Sequence, residues 1–229
     1  MKSLVKRAMF KALWNDGIRR LRINAEAGHI DEQAIAELWL AWDNPQWSAT
    51  LEMLSTAAGL AAKSNQDTIV ECGSGISTII LAVAAKSTGS RLISLESDRK
   101  WYERMSRLVG ALGIPNAEVR WAPLVEHHNA DWYDPQVLDD VTRIELFLCD
   151  GPPGDTRGGR SGCLEGIGPR LAPDARVLID DTNRAPERDL AERFASLMHS
   201  HCTFWGRPDH QFALIEGNVV PDGKNADGG

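Results

Sequence analysis

The chain has 229 residues, 25% of them charged and 43% hydrophobic, with a formal net charge of −7. That suffices for one α/β domain with an N-terminal extension and is too short for two full domains, and no apolar run approaches the roughly 18 residues of a membrane span. Cys72, Cys149, Cys163 and Cys202 lie far apart without C-x-x-C spacing, which argues against a disulfide framework or a structural zinc and for a reducing, cytoplasmic setting.

In the first 22 residues, seven Lys or Arg face Asp16 alone, so the segment is +6 and the remainder −13. Leu4, Phe10, Leu13, Trp14, Ile18 and Leu21 give it a loose apolar face. The expectation is an amphipathic helix packed on its own domain or on a second subunit of a homodimer; peripheral contact of residues 1–22 with an anionic surface is the alternative. Basic residues run through the region where a secretory signal would be apolar. Asp31 to Trp42 predicts a helix with an aspartate cap, Pro45 breaks it, and Ser48 is placed to cap a second helix from Ala49 to about Ala62. Trp42 and Trp47 flank a polar elbow that either packs or walls an acceptor pocket. Residues 1–64 are thus read as a helical extension or lid, 65–217 as the main domain and 218–229 as a flexible tail.

The organising stretch is Thr68-Ile69-Val70-Glu71-Cys72-Gly73-Ser74-Gly75-Ile76-Ser77-Thr78: a β-branched strand, a glycine turn, then a helix through Ala85. Helix N–H groups then point at a ligand over the turn. A dinucleotide fingerprint needs a third glycine three residues after Gly75, and that position is Thr78. A carboxylate at Glu71 suits a cationic amino group better than a pyrophosphate.

Downstream, strand and helix alternate, which predicts a parallel sheet covered on both faces. Arg91–Leu95 is the second strand, and Glu96 lies 21 residues after Gly75, where a nucleoside-binding βαβ unit places its ribose-binding acid. A helix follows to about Leu112, with Trp101 placed either to line the adenine side of a nucleoside or to pack the helix on the sheet. Ala117–Trp121 is the third strand, and a polar loop is predicted through His127 and His128 to Tyr133, opening toward the ligand side. Ile144–Cys149 runs into Asp150-Gly151-Pro152-Pro153, and Ala175–Ile179 into Asp180-Asp181. If these strands are neighbours, three carboxylates converge at the carboxyl edge of the sheet; a divalent cation, or Arg157, Arg160 and Arg184, must offset them. Glu187–Met198 is a helix, and His201–Trp205 with Gln211–Ile215 form a closing hairpin.

The combination E-C-G-S-G-I-S-T, E-S-D-R-K-W-Y-E, W-Y-D, C-D-G-P-P-G and I-D-D-T-N-R resembles small bacterial class I S-adenosylmethionine-dependent methyltransferases, and Asp150 with Asp180-Asp181 is similar to the metal-dependent O-methyltransferases of catechol and sugar-hydroxyl type. The resemblance spans about Thr68 to Gly217. It implies a Rossmann-like, doubly wound sheet of seven strands, mostly parallel with the last strand antiparallel, preceded by the helical extension. It implies that Glu71, Cys72, Gly73, Ser74 and Gly75 contact the cofactor, together with Ser77 and Thr78. Glu96, Ser97 and Trp101 would serve its nucleoside end, with Ala122, Pro123, Asp150, Gly151 and Pro152 completing the site. Mg²⁺ or Mn²⁺ would sit on Asp150, Asp180 and Asp181; without a metal, Asp150, His127 or His128 becomes the base. The expected reaction is methylation of a small-molecule or sugar hydroxyl. A nicotinamide-dependent oxidoreductase and a non-catalytic cofactor-binding subunit are the rivals, and the acidic body disfavours nucleic acid as partner.

Overall fold

The structure is a computed structural model that describes residues 2–42, 48–64, 66–127 and 129–217. Trp47, His128 and the expected tail at 218–229 lie outside the described residues.

Three helices come first, α1 (Lys2–Glu26), α2 (Glu32–Ala41) and α3 (Leu51–Ala61). Asp31 caps α2, its carboxylate accepting from Ala34 N at 2.9 Å. For α3 the cap is Thr50, which accepts from Met53 N at 3.2 Å, and not the expected Ser48. Thr50 has the extended backbone a cap needs and an acid, Glu52, in the turn that follows. The basic helix α1 packs on its own domain: Leu21 and Ala25 are buried, and Gly17 leaves room for Leu38 of α2, whose Cγ would lie 2.8 Å from an added Cβ. Its charge is partly answered there, because Arg20 donates to both oxygens of Asp31 at 2.9 and 2.8 Å and to Glu37 at 2.9 Å.

The main domain continues β1 (Thr68–Cys72), α4 (Ile76–Lys86), β2 (Arg91–Glu96), α5 (Arg99–Ala111), β3 (Ala117–Trp121), β4 (Leu124–His127), β5 (Ala130–Tyr133), β6 (Ile144–Cys149), α6 (Cys163–Ile167), β7 (Leu171–Ile179), α7 (Ala185–Leu197), β8 (Cys202–Arg207) and β9 (His210–Glu216). Seven strands form one sheet in the order β3-β2-β1-β6-β7-β9-β8. Every pairing from β3 to β7 is parallel, and the last strand in sequence, β9, runs antiparallel between β7 and β8. The order reverses between β1 and β6, the point at which open α/β sheets open a crevice beyond their strand ends.

Side-chain alternation assigns the strands to two cores. Ile69, Leu92, Leu146, Leu148 and Leu178 face α1 to α5, while Val70, Ile93, Phe147, Val177 and Ile179 face α7 and the β4–β5 hairpin. That hairpin stands where a polar loop was expected. Trp132 and Tyr133 drive the difference, since both are buried, and Gly162 and Gly166 of the segment around α6 pack directly on the Trp132 ring.

Candidate active site

A cavity of about 590 Å³ opens at the switch point. The β1–α4 turn forms its floor. Gly73 has φ +89, and a Cβ there would lie 2.9 Å from Gly151 N, so both the left-handed backbone and the close approach of the β6 turn require glycine. Gly75 is different: its φ of −169 is ordinary extended backbone, and a Cβ would meet only Ser77 Oγ at 3.9 Å.

Glu96 ends β2 inside the cavity wall and is held from three sides. Ser74 N and Ser74 Oγ donate to Oε2 at 3.2 and 2.7 Å, and Asp98 N donates to Oε1 at 2.8 Å. Burial raises the carboxyl's pKa, and these donors offset part of the rise. Asp98 caps α5 through Trp101 N, and the Trp101 indole N–H donates to Ser74 O at 2.8 Å, so the ring is tied to the turn it flanks. Trp42, Ser48 and Ala49 of the extension complete that side of the wall.

Several expected contacts are not where the resemblance put them. Glu71 shares the sheet face of Ile69, so it points beneath α4 instead of into the cavity. It is fully buried and accepts from Thr78 Oγ1 at 2.5 Å and Ser94 Oγ at 2.6 Å, while Thr78 in turn accepts from Gly75 N at 2.9 Å. Cys72, Thr78, Ala122, Pro123 and Pro152 likewise stand outside the residues lining the cavity. Ala122 continues the sheet by donating to Glu96 O at 2.9 Å. His127 is a strand residue of β4 paired with Ala130. Gly73, Ser74, Gly75, Ser77, Glu96, Ser97, Trp101, Asp150, Gly151, Asp180 and Asp181 do line it.

The β6 and β7 ends bring the three aspartates together, since β6 and β7 are neighbours in the sheet and Asp180 N donates to Cys149 O at 3.0 Å. Between them lies a side chain with a larger part than the sequence suggested, Arg160, 4% exposed. Its Nη2 donates to Asp181 Oδ2 at 2.9 Å, to Asp150 O at 2.6 Å and to Asp150 Oδ1 at 3.3 Å. Nη1 reaches Asp180 O at 3.1 Å and Nε reaches Pro152 O at 3.3 Å. Arg184 Nη2 lies 3.1 Å from the other oxygen of Asp181. Burial, then Asp180, push the Asp150 carboxyl well above the usual carboxylate range, against the pull of Arg160.

A residue that the sequence did not single out is His210 on β9, whose Nε2 is 3.2 Å from Asp180 Oδ1. The hydrogen bond to Asp180 raises its pKa, against partial burial. No signal around His210 in the sequence marks it; only the insertion of β9 beside β7 brings it to Asp180. Tyr133, buried at the end of the unexpected hairpin, also faces the cavity.

A divalent cation on Asp150, Asp180 and Asp181 does not fit this arrangement. Among the described residues the acidic group with ligand spacing is Asp180, Asp181 and His210, their atoms within 4.8 Å, and Asp150 is outside it. Both oxygens of Asp181 already face guanidinium groups, which a dication would have to displace or oppose. Among the described residues no helix is long and apolar enough to cross a membrane.

Residues 70–182 match a family model described as a methyltransferase domain. No curated protein matches the sequence. Among solved structures, the O-methyltransferase from Bacillus cereus in complex with SAH is similar over 81% of this chain and 90% of that one, with 15% identity and a TM-score of 0.57. TomG, an O-methyltransferase from Streptomyces achromogenes involved in tomaymycin synthesis, is similar over 82% and 89%, with 16% identity and a TM-score of 0.55. The Podospora anserina methyltransferase PaMTH1 is similar over 80% and 88%, with 16% identity and a TM-score of 0.52. The family match runs from β1 to just beyond the end of β7, across the cavity and both of its turns, so residues 70–182 form a methyltransferase domain.

Proposed function

We propose that the chain methylates a hydroxyl oxygen of a small molecule or sugar, with S-adenosylmethionine as donor. Structural neighbours described as O-methyltransferases, solved with SAH or SAM, support the donor and the acceptor atom. The observation that carries the reading is that Glu96 and the His210–Asp180 pair open into one cavity.

The residues present fit such a cofactor. Glu96, fixed by its three donors, would accept from ribose hydroxyls, with Ser97, Asp98 and Trp101 beside the base. Gly73 to Ser77 would lie along the amino-acid end, where the backbone comes close because Gly73 has no side chain. When bound, S-adenosylmethionine supplies an electrophilic methyl group on sulfur. What remains for the protein is to orient the acceptor and remove its proton. Asp180 holds His210 through Nε2, which leaves Nδ1 to take that proton, and the raised pKa keeps the imidazole basic enough to retain it. Trp42, Ser48 and Ala49 bring the extension at 1–64 to the cavity wall beside Trp101.

Calorimetry with S-adenosylmethionine and with NAD tests the donor, and methyl transfer to phenols and hydroxylated sugars tests the acceptor. Glu96→Ala should weaken S-adenosylmethionine binding by ~1 to 3 kcal/mol. His210→Gln should leave that affinity alone and lower kcat by about 100-fold. Binding of NAD with none of S-adenosylmethionine would overturn the reading.

A further inference from the structure

The family resemblance leads one to expect a metal where the three aspartates meet, and the structure puts a side chain there instead. We infer that Arg160 is a built-in cation that takes the place of a divalent ion, so that this enzyme works without a metal; the inference rests on the methyltransferase reading above and concerns the same cavity.

Three observations converge on it. The guanidinium touches two of the three carboxylates that an ion at the strand ends was expected to hold, those of Asp150 and Asp181, and also the carbonyl oxygens of Asp150, Pro152 and Asp180. These contacts join the end of β6 to the end of β7, the task of a bridging cation in such a site. The chain also builds a support for this one side chain. Arg157, three residues earlier, donates through Nε and Nη2 to Asp131 Oδ1 at 3.0 and 2.6 Å, and Asp131 N donates back to Arg157 O at 2.8 Å. Between the two arginines Gly158, at φ +76, lies so close to Ala130 that a Cβ would be 2.8 Å from Ala130 Cα, and beyond Arg160 the Gly162 backbone rests on Trp132. The β4–β5 hairpin therefore fixes the segment that delivers Arg160. Finally, guanidinium groups already answer the carboxylates there: Arg160 lies 3.3 Å from Asp150 Oδ1 and 2.9 Å from Asp181 Oδ2, and Arg184 lies 3.1 Å from Asp181 Oδ1. An added dication would leave an excess of positive charge beside a buried guanidinium that cannot give up its proton.

On this reading Arg160 is a positioning residue. It holds Asp150 and Asp181 apart from each other and fixes the Asp180 backbone, and through it the carboxylate that orients His210.

The test compares Mn²⁺ binding in the wild type, Arg160→Ala and Arg160→Gln by calorimetry, with S-adenosylmethionine affinity as the check on folding. The wild type should show no Mn²⁺ binding up to about 1 mM, and its turnover in chelator should stay within about twofold of that in Mg²⁺. The variants should keep cofactor affinity, lose at least about tenfold in kcat, and gain Mn²⁺ binding at the vacated carboxylates. Micromolar Mn²⁺ binding by the wild type, or turnover lost in chelator and restored by Mg²⁺, would overturn the inference. So would a folded Arg160→Gln variant that still rejects Mn²⁺. The wild-type isotherm decides the matter even if neither variant folds. Because it needs no acceptor, a failure to find a hydroxyl substrate would count against the proposed function alone.

Discussion

Glu71 shows how a residue of the right type at the right place can serve a different end. Two residues before the turn glycine, its carboxylate looks like a ligand for the cofactor's amino group, but strand alternation sends it beneath α4, where Thr78 and Ser94 donate to one oxygen. The other oxygen, Oε1, has no partner. Burial raises its pKa from the usual 4.5 to about 7, against the hydroxyls that donate to it. The folded protein therefore keeps this proton up to about pH 7, while the unfolded chain releases it near 4.5. More protons are bound folded than unfolded in that window, so Glu71 adds stability below it that is lost as pH rises to about 7. The full effect is about 3 kcal/mol. Glu71→Gln should remove this slope, and the stability difference between the two proteins, from denaturant melts at pH 5 and pH 8, should change by a few kcal/mol. Parallel pH profiles would show that Glu71 is ionised throughout.

At the scale of elements, the strand-turn-helix unit and its counterpart at β6 were legible because their signals are local: a β-branched strand, a glycine pair, and an acid 21 residues on. The two glycines nevertheless have different duties. Gly73→Ala should cost most of the cofactor affinity, because it strains a left-handed backbone and pushes on Gly151, whereas Gly75→Ala should fold normally and weaken binding by less than about tenfold. Isothermal titration of both variants separates them, and equal losses would mean that the turn is read wrongly. The parallel sheet follows from the alternation of strand and helix, and the meeting of Asp150 with Asp180 and Asp181 from the strand ends, whereas the seven strands with the last antiparallel were implied by the family resemblance. What local patterns did not reveal depends on neighbours distant in sequence. The β4–β5 hairpin is too short to show a period, and it is held by Trp132 against glycines some 30 residues later. Arg160 and His210 reach the cavity only through tertiary packing, from a glycine-rich connection and from the last strand.

For the whole molecule the question is whether the helical extension is a separate lid or part of the domain. Its tryptophans answer it: Trp14 of α1 stacks on Trp42 with ring centroids 6.0 Å apart and 19° between planes, and Trp42 meets Trp101 edge-on at 6.0 Å and 85°. Trp101 is in turn bonded to Ser74 O in the glycine turn. A packed line thus runs from the first helix to the cavity floor, with Arg104 over the rings of both Trp42 and Trp101 at 5.9 and 4.8 Å from their centroids. Since α1 also buries Leu21 and Ala25 and satisfies Asp31 and Glu37 through Arg20, removing part of this line should act on stability and on binding together. Trp14→Ala deletes a half-buried ring from the far end and should lower unfolding free energy by about 2 kcal/mol. It should weaken S-adenosylmethionine binding several-fold without touching the cavity, because Trp42 loses the surface that holds it against Trp101. Arg20→Ala breaks a different contact of the same helix and should reduce stability with little effect on affinity, which separates loss of helix docking from loss of the aromatic line. The measurements are thermal unfolding and cofactor titration of both variants. Equal losses of affinity in the two would mean that the extension is coupled to the cavity only through its docking, and unchanged stability in Trp14→Ala would mean that α1 is an appendage after all.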